Sequence, residues 1–210
     1  INPSDLIAAF LQRSPTSALN LARGVLALPV GATFDGVDRY KVASLGLGVF
    51  KAFDDFAGAQ RLTLNAELGA SHVASLPAPD QLRYGRSDDY GGAQVTGGAA
   101  CVDNTAAKKS CAQEGFVTAN AWGYRVRLAA TYPNAFFGAT LTPSVTFAHD
   151  VEGYSFDATF LQGRKALRPA LRADWGRQFF AELQVNMLMG GKYNTQIDRD
   201  TVTLAAGMRF

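Results

Sequence analysis

The sequence predicts an all-β fold: an antiparallel transmembrane β-barrel of the outer-membrane type. About seven strands are expected in this chain, with short turns at one end, long loops at the other and a short N-terminal helix. Three observations predict it. Apolar and polar residues alternate with period two over stretches longer than the five or six residues of an ordinary strand. The connections run short and long in strict turn, as periplasmic turns and external loops do. No stretch approaches the roughly 18 uninterrupted apolar residues of a membrane helix, so any crossing of a bilayer falls to strands.

Residues 1–37 are the least strand-like. NPSDLIAAFLQR offers Asn2 or Ser4 as a cap, Pro3 early, and Leu6, Ile7, Phe10 and Leu11 at helical spacing. A short amphipathic helix is expected there, in a loop or plug segment, and residues 38–210 are expected to supply the barrel strands. The first, Tyr40 to Phe53, sets Leu45, Leu47 and Val49 against Ser44, Gly46 and Gly48. Gln60 to Ala74 sets Leu62, Leu64, Ala66, Leu68 and Ala70 against Arg61, Thr63, Asn65, Glu67 and Ser71. Thr118 to Tyr132 sets Trp122, Tyr124, Val126, Leu128, Ala130 and Tyr132 against Arg125, Arg127 and Thr131. Its rings stand near both ends with aliphatics between, as two aromatic girdles require.

Phe137 to His149 sets Phe137, Leu141, Val145 and Phe147 against Thr140, Thr142, Ser144 and Thr146. Lys165 to Trp175 opposes Leu167, Pro169, Leu171 and Trp175 to Arg168, Arg172 and Asp174. Phe179 to Met189 sets Phe179, Leu183, Val185, Met187 and Met189 against Glu182, Gln184 and Asn186. The closing strand, Asp200 to Phe210, carries Val202, Leu204, Ala206, Met208 and Phe210 on one face, with Thr201, Thr203, Gly207 and Arg209 on the other. That apolar set, ending on a ring, resembles the C-terminal signal by which barrel assembly machinery recognises its clients. Pro143 and Pro169 each remove one ladder donor, so a bulge or local irregularity is expected at both.

Short connections fall at 54–59, 133–136 (PNAF) and 176–178 (GRQ), and long ones at 75–117, 150–164 and 190–199. Seven strands is an odd number where single-chain bacterial barrels have an even one. Two domain readings therefore stand: one barrel domain over 1–210, or the C-terminal portion of a larger barrel. The second is preferred.

The composition, with 21 Gly, 14 Phe and a net charge of +2, suits a turn-rich β protein and offers no basic surface for nucleic acid. Cys101 and Cys111 share a Gly-rich stretch without a nearby His, a poor metal site. A local disulfide in an oxidising compartment is the favoured reading, against two free thiols in a cytosolic loop. The expected lumen-facing charges are Glu67, Arg125, Arg127, Arg168, Arg172, Asp174 and Glu182, with Arg209 beyond them. They suit a selective pore inclined to anions, and equally a wet lumen whose mixed charges pair across strands. His72 and His149 are the only histidines, and no Ser occupies an elbow beside them, so no catalytic residues are assigned. No metal or cofactor is expected either.

The runs NAWGYRVRLAATYPN, LTPSVTFAHDVEGYS, GRKAL and YNTQIDRD resemble a Gram-negative family of outer-membrane proteins described only as a domain of unknown function. The resemblance spans most of residues 1–210. It implies a large barrel of which this chain matches the C-terminal part. It also implies outer-membrane lipids as surroundings, and an RND-type envelope exporter and an outer-membrane lipoprotein-like protein as partners. The expected function is passage or export of small molecules, hydrophobic or lipidic ones included, across the outer membrane. The alternatives are a structural or ligand-binding surface barrel with a plugged lumen, an outer-membrane lipid hydrolase and, outside the membrane, a soluble β-sandwich.

Overall fold

A computed structural model describes residues 38–78, 84–86, 114–176 and 178–208 of the 210-residue chain. The helix expected within 1–37, the disulfide expected between Cys101 and Cys111, and Arg209 and Phe210 lie outside the described residues. Seven antiparallel strands follow one another in space as they do in sequence: β1 (Val42–Phe56), β2 (Ala59–Val73), β3 (Asn120–Phe136), β4 (Ala139–Glu152), β5 (Arg164–Trp175), β6 (Phe179–Gly190) and β7 (Thr201–Met208). They form one sheet, and the sheet is open, with β1 and β7 as its two edges.

The tight connections have clear local causes. Phe56 pairs with Ala59 across Ala57 and Gly58, both at positive φ, and Phe136 pairs with Ala139 across Phe137 and Gly138, also both positive. Two central residues at positive φ make the mirror-image turn whose twist matches that of the flanking strands. The turn expected at PNAF is thus displaced to Phe137–Gly138. Pro133 and Asn134 lie instead inside β3, where the register with β4 shifts between Tyr132 and Phe136 and Asn134 takes a left-handed φ of 51°. A Pro-Asn pair signals a turn in sequence, but β3 advances four residues from Tyr132 to Phe136 while β4 advances two, and the extra residues absorb it as a bulge.

The other prolines behave differently from a bulge. Pro143 pairs with Leu171 of β5, and pairing to β3 lapses opposite it, between Ala129–Ser144 and Tyr132–Leu141, without a change of register. Pro169 likewise pairs with Val145 of β4, while pairing to β6 lapses between Leu167–Met187 and Ala170–Gln184 at constant register. The missing N–H costs local ladder contacts and nothing more.

Apart from the register shifts of β3 with β4, the strands keep the alternation, with Lys51 and Lys165 as charged positions on the apolar face. One face carries Leu45, Leu47, Val49, Leu62, Leu64 and Leu68 on β1 and β2, and ends in Val202 and Leu204 on β7. Most of these side chains are exposed, Val49 to 62% and Leu204 to 76%. The buried apolar residues are Ala59, Val73, Phe116, Ala121, Ala139, Tyr154 and Tyr193, which sit at strand ends or in loops. Among the described residues, no strand buries a large side chain at mid-length. A soluble sheet hides one face against a second layer; this one has no such layer among the described residues.

Candidate functional site on the polar face

The register places all seven expected charges on the face opposite the aliphatic one. Glu67 lies across from Arg125, Arg127 across from Thr146, Thr146 across from Arg168, and Arg172 across from Glu182. They divide into two groups. Near the turn end Arg172 is held from three sides. Its Nε and Nη2 donate to the two Asp174 carboxylate oxygens at 2.8 and 2.9 Å, and Nη1 donates to Glu182 at 3.2 Å. Its guanidinium also stacks 4.4 Å over the Phe180 ring. Phe180 in turn covers Gly207, its cross-strand neighbour, where a Cβ would come within 2.5 Å of the ring.

Nearer the loop end the cations are freer. Arg168 donates from Nε to the Asn186 carboxamide at 2.7 Å. Among the described residues, Arg125, Arg127, Arg168 and Glu67 have no ion pair.

What sequence reasoning missed is the connection between β4 and β5. Rather than leaving the sheet, residues 153–163 fold back onto its polar face. Tyr154 bridges Leu161, and Ser155 and Phe160 bond each other three times: Ser155 N–H and Oγ–H to the Phe160 carbonyl at 3.0 and 3.5 Å, and Phe160 N–H to Ser155 Oγ at 2.8 Å. Asp157 closes the tip by accepting from the amide and hydroxyl of Thr159 at 3.1 and 2.8 Å. Hydrogen bonding, first from Ser155 and then from Thr159, holds its carboxyl below the ordinary value of 3.8.

The base of this loop is latched by Asp150. The residue is only 8% exposed, and its Oδ2 accepts from Arg164 Nε at 2.6 Å and from the Leu161 amide at 3.1 Å. Arg164 also donates to the Thr159 carbonyl at 2.6 Å. A buried carboxylate with this many donors is well compensated. Asp150 was legible only as the first residue of a long loop, because β4 runs two residues past it.

The loop carries Phe160 over a floor of glycines. Gly46, Gly69 and Gly123 are cross-strand neighbours on β1, β2 and β3. Cβ atoms at Gly69 and Gly123 would stand 3.0 and 3.2 Å from the Phe160 ring. Gly123 also marks a register shift, where a Cβ would meet the His149 carbonyl at 2.7 Å. Two clefts flank the loop. One, of about 400 Å³, is bounded by the glycines, Glu67, Arg125, Asp150 and Phe160. The other, of about 300 Å³, is bounded by Arg125, Asp150, Arg164, Arg168 and Gln196, with Ala148 and Ala166 at its floor.

Beyond the sheet the loops pack on one another. Tyr154 meets Tyr193 edge-on at 6.0 Å, and Arg86 lies 4.4 Å from Phe116 and 5.3 Å from Tyr193. Burial, reinforced by Tyr193, pushes the Tyr154 phenol up, and burial lowers Arg86 against the opposing effect of Tyr193. Asn194, 1% exposed, ties the turn after β6 by donating to the Gly190 carbonyl at 3.0 Å and accepting from the Gln196 amide at 3.0 Å. The histidines stand apart from each other on β2 and β4. His72 contacts the Asn120 carboxamide at 2.7 Å, and His149 packs edge-on to Tyr124 at 5.6 Å.

The described residues thus define an all-β protein region of one sheet, with one largely apolar face and one charged face partly covered by its own loop. The chain belongs to the family described as protein of unknown function (DUF1302), which matches residues 1–210. No curated protein and no solved structure matches the chain.

Proposed function

We propose that the seven strands are one arc of a transmembrane β-barrel in the bacterial outer membrane, the C-terminal part of a wider barrel, and that small molecules pass through its lumen, hydrophobic or lipidic ones included. One observation carries this reading: a largely apolar face, open from β1 to β7, on which nothing packs among the described residues. Soluble monomers rarely leave more than a few hundred Å² of contiguous apolar surface in water. A twelve-residue strand such as β5 spans about 40 Å, and at a tilt near 40° it rises about 30 Å, enough for the ~25 Å apolar band of an outer-membrane barrel. Rings favour the same reading: Trp122 and Tyr124 stand at the loop end of the aliphatic face, Phe53, Tyr132 and Trp175 at the turn end. Unpaired strand edges do not persist in lipid, so further strands must lie between β7 and β1.

In this reading the charged face lines the lumen and the 153–163 loop narrows it. Val202, Leu204, Ala206 and Met208, with Phe210, would be read by the barrel assembly machinery, and an exporter and a lipoprotein of the envelope would be partners. The inward loop also favours a second reading, a surface barrel whose lumen is plugged.

Two measurements on the full chain test these. Quenching of Trp122 and Trp175 by lipids brominated near the headgroup should be strong, and weak by lipids brominated at the chain end. No quenching by either lipid would sink the membrane reading. In planar bilayers, stepwise conductance supports passage, and a membrane-inserted but silent protein supports the plugged barrel.

A further inference from the structure

The two clefts on the charged face adjoin: Arg125 and Asp150 line both, so together they make one two-part depression beside the base of the 153–163 loop. Its halves differ in chemistry. Three guanidiniums, of Arg125, Arg164 and Arg168, face one carboxylate, of Asp150, and that carboxylate is already taken by Arg164 at 2.6 Å. Arg125 and Arg168 have no carboxylate within ion-pair distance among the described residues. The space between them exists because the facing residues of β4 and β5 there are Ala148 and Ala166. The contrast with Arg172 is instructive: there the same guanidinium is saturated by two carboxylates and a ring. The other half of the depression has no excess of cations and is walled by the Phe160 ring.

We infer that this depression binds an amphipathic anion: a carboxylate or phosphate head between Arg125 and Arg168, with its apolar chain along the Phe160 side. Arg guanidiniums bind such heads through paired, charge-assisted hydrogen bonds. The Gln196 side of the cleft borders the same space. The inference rests on the barrel reading for its meaning as a permeation site, but the binding itself needs only the folded sheet.

The test is equilibrium dialysis of radiolabelled dodecanoate against the full chain refolded in amphipol, with acetate and dodecanol as competitors. Dodecanoate should bind saturably, and neither competitor should displace it at matched concentration. Arg125→Gln with Arg168→Gln should weaken it about tenfold or more, the loss expected of charged hydrogen bonds. Arg172→Gln, the same loss of charge outside the depression, should change it less than about twofold. Phe160→Ala should weaken dodecanoate while leaving the response to Arg125→Gln intact. Equal weakening by Arg172→Gln would reduce the site to diffuse attraction and overturn the inference, as would displacement by acetate alone or by dodecanol alone. Each variant is first shown to keep wild-type strand content by circular dichroism. Trp quenching by brominated lipid on the same preparations separates the two failures: quenching without binding sinks the site, and binding without quenching sinks the barrel.

Discussion

The two faces of the sheet are built from the same strands, residue by residue in alternation, yet they follow opposite rules. On the aliphatic face hydrocarbon dominates from β1 to β7, and its polar contacts, His72 with Asn120 and Trp122 with Glu152, lie at the loop ends of the strands. On the other face the chemistry is particular: Arg172 clamped by Asp174 and Glu182, Asp150 gripping Arg164, and a loop returning to lay a ring on glycines. The difference teaches that one face answers to a solvent and the other to specific partners. Uniformity is the mark of a surface matched to a medium, and specificity the mark of a surface matched to groups.

The largest test breaks the uniform face. Val145 and Ser144 are neighbours at the middle of β4, on opposite faces. Val145→Arg should destabilise the protein refolded in lipid by about 2–4 kcal/mol, the cost of a cation at the bilayer midplane. Ser144→Arg, flanked by Ala129 and Ala170 on its neighbours, should cost within about 0.5 kcal/mol. Urea unfolding in bilayers reads both. Equal costs would mean that the aliphatic face does not meet lipid.

The faces differed in how far the sequence disclosed them. Six of the seven strands were found to within a few residues because period-two alternation is a local signal, readable from side-chain type alone. β3 overran its expected end because Pro133–Asn134, a strong turn signal, was taken up as a bulge, and the Phe137–Gly138 turn beyond it has weak turn chemistry. The charges could be assigned to a face by parity. Their partnerships could not, since Arg172–Glu182 depends on the register of β5 with β6, and Asp150–Arg164 on a loop folding inward. Nothing in the residues between Gly153 and Gly163 distinguishes an inward hairpin from an external loop. The nearest signal, Gly69 and Gly123 at like parity on adjacent strands, acquires meaning only once a ring sits over them.

Smaller effects sharpen the particular face. Asp150→Asn leaves Arg164 without its counter-charge in a site that is mostly buried. It should cost about 1–3 kcal/mol, the penalty for a polar group left without its partner. The loop should also become cleavable by trypsin at Arg164 or Lys165; a loop as resistant as the wild type would deny the latch. Arg172 and Glu182 are about a third exposed, so solvent screens them. A double-mutant cycle between Arg172→Met and Glu182→Gln should therefore return only a weak coupling, well below the cost of Asp150→Asn. A coupling near zero would leave Asp174 as the partner that matters.

The smallest effect concerns pH and the tip of the loop. Asp157 has its folded value held below the ordinary 3.8, chiefly by the Ser155 hydroxyl and then by Thr159. A carboxyl with a lowered value stabilises the folded form above its unfolded value, and that contribution disappears as pH falls through the lowered one. The loop tip should thus be indifferent to pH between 7 and 5, about a unit above that ordinary value, and loosen only below 3.8. A fluorine label on Phe160, followed by NMR, should shift toward the solvent-exposed position over that acid range. Asp157→Asn should remove the part of the shift that Asp157 causes. An identical acid response in the variant would show that the tip is held by its backbone bonds, Ser155 to Phe160, rather than by its charge. The loop would then belong with the rigid wall it rests on and not with the exchangeable contacts of the charged face.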